Sequence, residues 1–143
     1  MQEALVDTVV LYGALNRQDP YHDDALPIFR RMDNGDLPVG IVLDFVYAET
    51  FNAMTGSLSH DDCTEAADIL ERSGGFRMER TNREVWTNAH DVYRGNPHLS
   101  FVDSALVAYA GVEDVDYIYS FDTGFDSVDD LKRIKSDANP YSA

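Results

Sequence analysis

An α/β fold is predicted, a three-layer sandwich in which a mostly parallel sheet of four to five strands is flanked by helices, and three observations predict it. Short apolar runs alternate with segments of helical periodicity along the chain. The run at residues 37–43 is continuously apolar, as in a strand covered on both faces. Asp7 and Asp122 each close such a run, at the position where open α/β sheets gather ligands. The 143 residues suffice for one domain, 1–143, with a single core.

Residues 4–7 read as the first strand and 8–14 as a helix leaving it, so Asp7 is either a ligand-gathering acid or the cap of that helix. A polar loop at 16–20 leads to a helix over 21–32, with Ala25, Ile28, Phe29 and Met32 as its buried stripe and Pro27 awkwardly inside. Gly35 suits the left-handed turn that ends it. Residues 37–43 form the second strand, and Asp44 caps a helix running to about residue 54. Glu49 lies just past the first turn of that helix, either as exposed surface or as an acid near the strand edge.

Ser59 opens a helix over 59–72 that Gly74 and Gly75 close, with Cys63 as core filling. Residues 76–79 are a third strand. Thr81 and Glu84 have capping-box spacing, and Val85, Trp86, Ala89, Val92 and Tyr93 line the helix after them, Trp86 as core. From Ser100, Val102, Ala105, Leu106 and Tyr109 repeat as one face of a buried helix. Asp103 is either the first-turn acid of a capping arrangement or an acid presented by that helix. Residues 115–121 are the fourth strand, after which Asp122 makes an Asx turn or serves as a second strand-end acid. Residues 131–134 add an edge strand, and the tail from Ser136 is expected to be loose.

The net charge is −15, from 26 acids against 11 Lys plus Arg, and Lys132 and Lys135 are the only lysines. Self-repulsion weakens a compact state when the screening length is about 8 Å, and much less in molar salt, where it is about 3 Å. The balance points to a salt-rich cytoplasm such as that of halophilic archaea. It also argues against general attraction to nucleic acid, so any nucleic-acid substrate must be held locally by metal and a few arginines. A single cysteine, Cys63, allows neither an intrachain disulfide nor a cysteine-built zinc site. Without a membrane-length apolar run or a signal-peptide pattern, a soluble cytoplasmic protein with no membrane association is expected.

In a parallel sheet the strands point one way, so Asp7 and Asp122 share an edge, to which the helices starting near Asp44 and Ser100 bring Glu49 and Asp103. Carboxylates about 5 Å apart repel by roughly 3 kcal/mol per pair at an effective dielectric near 20. Such a cluster holds protons, weakens the fold, or takes a divalent cation. Oxygen ligands without a Cys or a matched His pair favour Mg²⁺ or Mn²⁺ over Zn²⁺. The chemistry that follows is phosphodiester hydrolysis, with cations polarising the phosphoryl oxygen and activating water for in-line attack. Thr8 and Ser120 are candidates to hydrogen-bond the carboxylates and fix their rotamers. A receiver-type phosphoacceptor domain also uses strand-end acids, but it needs paired acids after its first strand, where this chain has Thr8 and Val9, and a lysine ending its last.

Val6-Asp7-Thr8, Ala48-Glu49, the segment from Leu99 to Ala105 with Ala108 and Ala110, and the segment from Ser120 to Asp126 resemble, in order and spacing, the motifs of PIN domains. The resemblance is to the VapC-type toxin ribonucleases of bacterial and archaeal toxin-antitoxin pairs. His22 and Ala25 resemble that family's second-helix pattern. The resemblance implies a PIN-like sandwich and a metal-dependent endoribonuclease with Asp7, Glu49, Asp103 and Asp122 as catalytic acids. Of these, Asp7, Asp103 and Asp122 would be the metal ligands, and Asp126 an auxiliary acid. It further implies a homodimer and an antitoxin whose tail occupies the acidic groove, where Arg or Lys side chains would pair with the carboxylates. Val9 stands where many members carry Asn or Ser, and Ser120 replaces the usual Thr while keeping the hydroxyl. For RNA contacts the candidates are Arg17, Arg94 and His98, each also readable as ordinary surface. The alternative is a catalytically silent member of the fold that binds a partner or RNA.

Overall fold

A computed structural model describes residues 2–142. The elements run β1 (Glu3–Val6), α1 (Thr8–Leu15), α2 (His22–Asp33), β2 (Val39–Leu43), α3 (Asp44–Ser57), α4 (His60–Arg72), β3 (Phe76–Glu79), α5 (Arg83–Gly95), α6 (Phe101–Glu113), β4 (Tyr117–Tyr119), a 3-10 turn (Thr123–Ser127) and β5 (Lys132–Ile134). The strands form one sheet in the order β3-β2-β1-β4-β5 with every pairing parallel. The α/β sandwich is therefore as expected, with the fifth strand present. Its middle is dry: Leu5, Ile41 and Ile118, on the three central strands, are fully buried.

The chain leaves β1 for β2 on one side, and β4 takes the other flank. That makes the gap between β1 and β4 the point where strand order reverses, outside whose carboxyl ends such sheets bind ligands. Two glycines make the turns possible. Gly35 has φ of 88° in the turn after α2, and a Cβ on Gly75 would collide with the Met32 carbonyl at the end of that helix.

Several boundaries differ from expectation. Strand β2 begins after Pro38, which has no N–H for the ladder, while the Leu37 amide still bonds back to Arg31. Strand β4 is shortened because the Val115 amide closes the end of α6 on the Ala110 carbonyl, with Asp114 left-handed at φ 56°. Helix α2 runs through Pro27. Asp44 is the first residue of α3 rather than its cap, and its carboxylate accepts from the Thr81 amide at 3.1 Å and hydroxyl at 2.7 Å. Thr81 thus occupied, Asn82 caps α5 instead, accepting from the Val85 amide. Helix α3 continues to Ser57, with the Thr55 and Ser57 hydroxyls donating to carbonyls one turn back.

Trp86 is not core. The buried stripe of α5 is Val85 and Ala89, and Trp86, one position around the helix, is 46% exposed among Phe45, His90 and Phe101. Cys63 is buried as expected, beside Met54 and Ala66. The tail is not loose: Tyr119 donates to the Ala138 carbonyl, Asn139 to that of Asp36, and the Tyr141 hydroxyl to that of Glu3.

Candidate active site

The site begins where β1 ends. The Asp7 amide bonds the Tyr119 carbonyl at 3.0 Å, extending the β1–β4 pairing by one residue, and its side chain caps α1 through the Thr8 amide at 2.8 Å. The cap and the strand-end acid are thus one residue. Asp7 is 5% exposed, and its other oxygen accepts from the Ser120 hydroxyl at 2.6 Å. Ser120 is fully buried and also accepts from the Asp122 amide at 3.0 Å, so one hydroxyl ties the two strand-end acids together. Asp122 turns the chain by accepting from the Gly124 amide at 2.8 Å, the Asx-type geometry. Ser100 caps α6 through the Asp103 amide at 3.1 Å, which leaves the Asp103 carboxylate at the start of that helix.

Asp7, Glu49, Asp103 and Asp122 line one open cleft of about 600 Å³, with Thr8, Val9, Tyr12, Tyr21, Ala53, Ser100, Phe121 and Thr123. No Lys or Arg is among these lining residues. The carboxylates sense one another. Burial raises the Asp7 pKa most, its Ser120 hydrogen bond offsets part of that, and the charges of Asp103 and Asp122 add, leaving it pushed up to about 7. Burial likewise raises Asp103, with Asp122 and Glu49 adding to the effect. Among the described residues, however, no three His, Cys, Asp or Glu side chains stand close enough to hold a metal ion as they are. The acids share a cleft without forming a closed ligand cage.

The donor set still fits an oxygen-preferring divalent cation. The acids have oxygen donors alone, and among the described residues Asp7 is buried with no cationic partner to keep it ionised, and the Thr8 hydroxyl, buried beside it, has no hydrogen-bond partner. Asp7, Asp103 and Asp122 would hold such a cation.

The remaining candidates divide between the cleft and the surface outside it. Thr8 meets Asp7 through its amide, not its hydroxyl. Asp126 is outside the cleft lining, clasped by Arg133 at 2.8 and 3.0 Å. Arg17 lines a different cleft with His22, Leu58 and Ile69. Arg94 is exposed on α5 near Asp91, and the His98 ring bonds the Ser127 hydroxyl at 2.7 Å. None of the three lines the acidic cleft. Sequence reasoning missed Tyr12, Tyr21 and Phe121 as lining residues. Val9 and Tyr12 were findable, being three apart on the helix that leaves Asp7, whereas Tyr21 is brought in by the loop before α2 and left no periodic signal.

Fold and cleft together define a class: a parallel α/β protein that gathers carboxylates at the switch point of its sheet. The chain belongs to the PIN domain family, which matches residues 4–131. Solved structures agree in fold. VapC20 from Mycobacterium tuberculosis, a sarcin-ricin loop cleaving toxin, superposes with TM-score 0.74 at 23% identity over 96% of this chain and 99% of that one. A toxin-antitoxin complex from Klebsiella pneumoniae gives 0.66 at 12% identity, over 90% and 95%. VapBC2 from Rickettsia felis, bound to a DNA fragment from its promoter, gives 0.67 at 11% identity, over 92% and 98%. At such identities the likeness is one of fold. Among curated proteins none matches the sequence. No helix among the described residues is long and apolar enough to cross a membrane.

Proposed function

We propose that this chain, acting as one domain, is an endoribonuclease dependent on Mg²⁺ or Mn²⁺ and the toxin of a toxin-antitoxin pair. The observation that carries the reading is the cleft at the β1–β4 switch point, lined by four carboxylates from separate parts of the chain and by no Lys or Arg, with Arg133 held outside the lining on Asp126. A divalent cation bound there supplies polarisation of the phosphoryl oxygen and a lowered pKa for the attacking water. Asp7, Asp103 and Asp122 would hold the cation, and Glu49, exposed on α3, would help orient the water. Ser120 fixes the rotamer of Asp7 and, through the Asp122 amide, the spacing of the strand-end acids. The solved neighbours that are toxin-antitoxin complexes support an antitoxin partner, whose basic side chains suit a cleft of this charge. A homodimer and a salt-rich cytoplasmic setting belong to the same proposal, the latter for the net charge of −15.

A catalytically silent binding module is the second reading, favoured by the absence of a closed acid cage among the described residues. One assay separates the two: cleavage of a panel of structured RNAs in molar KCl with Mg²⁺ or Mn²⁺, wild type against Asp103→Asn. The variant is expected to lose at least about 100-fold in rate, as loss of a metal ligand entails. Equal rates, or cleavage that persists in EDTA, sink the proposal.

A further inference from the structure

We infer that Tyr21, backed by Phe121, is a stacking platform for an unpaired RNA base at the rim of the acidic cleft. The inference rests on the nuclease reading and adds to it the side chain that holds a base of the substrate.

Tyr21 and Phe121 both line the cleft, and their rings stack with centroids 5.0 Å apart and planes 11° from parallel. Tyr21 is 43% exposed, and its ring is held by stacking on Phe121 rather than by a hydrogen bond to its hydroxyl among the described residues. Its backbone is also fixed. The amide donates to Asp19 Oδ2 at 3.0 Å, and the carbonyl accepts from the Asp24 and Ala25 amides at 3.1 and 2.8 Å. Phe121 adjoins Asp122 and packs on the core, which gives the outer ring a rigid backing. A preorganised aromatic face costs little entropy to use.

Electrostatics makes this face necessary. The cleft has no Lys or Arg, and phosphates approaching it meet the field of a chain with net charge −15. Affinity beyond the cation must come from contacts that neither need positive charge nor fade in salt. Base–aromatic stacking is such a contact, and every base has a face to offer. Duplex RNA does not qualify, because its base faces are covered by their own neighbours.

The test uses short single-stranded RNAs with 2-aminopurine at successive positions, titrated in molar KCl with Ca²⁺ replacing Mg²⁺, on wild type, Tyr21→Leu and Tyr21→Phe. Wild type and Tyr21→Phe are expected to quench the reporter at one position. Tyr21→Leu should lose that quench and about tenfold in affinity with an unchanged salt slope, since no charge is altered. Equal affinity and quench in Tyr21→Leu, with wild type still cleaving RNA in Mg²⁺, overturns the platform alone. A wild type that neither binds nor cleaves RNA overturns the platform and the nuclease reading together.

Discussion

Asp7, at the end of β1, and Asp126, in the 3-10 turn that follows β4, are carboxylates that the fold treats in opposite ways. Asp126 is exposed and gripped by Arg133, whose hydrogen bonds hold its carboxyl below the ordinary range. Arg77 serves Glu3 and Glu79 similarly, at 2.9 and 2.7 Å. Asp7 is buried, hydrogen-bonded among the described residues by neutral donors alone, and stands near two further acids that add to the rise burial gives its pKa. A chain with 11 basic residues places these arginines outside the cleft and leaves the cleft's own acids to protons or to a cation from solution. The contrast separates carboxylates neutralised by an arginine of the same chain from carboxylates that no cation of the cleft lining neutralises.

The largest effect expected from breaking that contrast comes from Asp7→Asn in EDTA. The Asp7 pKa of about 7 in the folded protein lies above its ordinary 3.8, so the folded state binds the proton more tightly than the unfolded chain. That stabilisation is complete below about pH 4 and is lost as pH rises to about 7. Relative to Asp7→Asn, which stays neutral, the wild type should therefore lose on the order of 4 kcal/mol across that window, with no divergence below it. Chemical denaturation of both proteins from pH 4 to pH 8 checks this, and parallel curves would mean that Asp7 is not held in its proton-binding state by burial.

At the small end lies Asp126→Asn. It removes an exposed ion pair of the kind worth little to stability and lies outside the cleft lining. Its melting temperature and RNA cleavage are expected to stay close to wild type. A loss of cleavage comparable to that of Asp103→Asn would move Asp126 into the working set of acids and blur the distinction.

The sequence made the sheet legible because each strand is short, apolar and followed by a helix signal, and the acid positions were legible because they interrupt those runs. Side-chain direction was not. Sequence ranked Asp126 below Asp122 only by resemblance, and the return of β5 beside β4, carrying Arg133, shows that Asp126 is the one paired within the chain. Trp86 was misplaced for a similar reason: a hydrophobic residue beside a buried stripe reads as part of it until the stripe is known to be as narrow as Val85 and Ala89. The C-terminal tail shows no periodicity, yet Tyr119, Tyr141 and Asn139 bind it to the body through carbonyl contacts that leave no pattern in sequence.

The most direct test is calorimetric titration of Mn²⁺ into wild type, Asp7→Asn, Asp103→Asn and Asp126→Asn in molar KCl at pH 8, where Asp7 is free to ionise. Wild type and Asp126→Asn are expected to bind alike, and the two cleft variants at least about tenfold more weakly. Equal affinity in all four proteins, or no binding by wild type, would contradict the account.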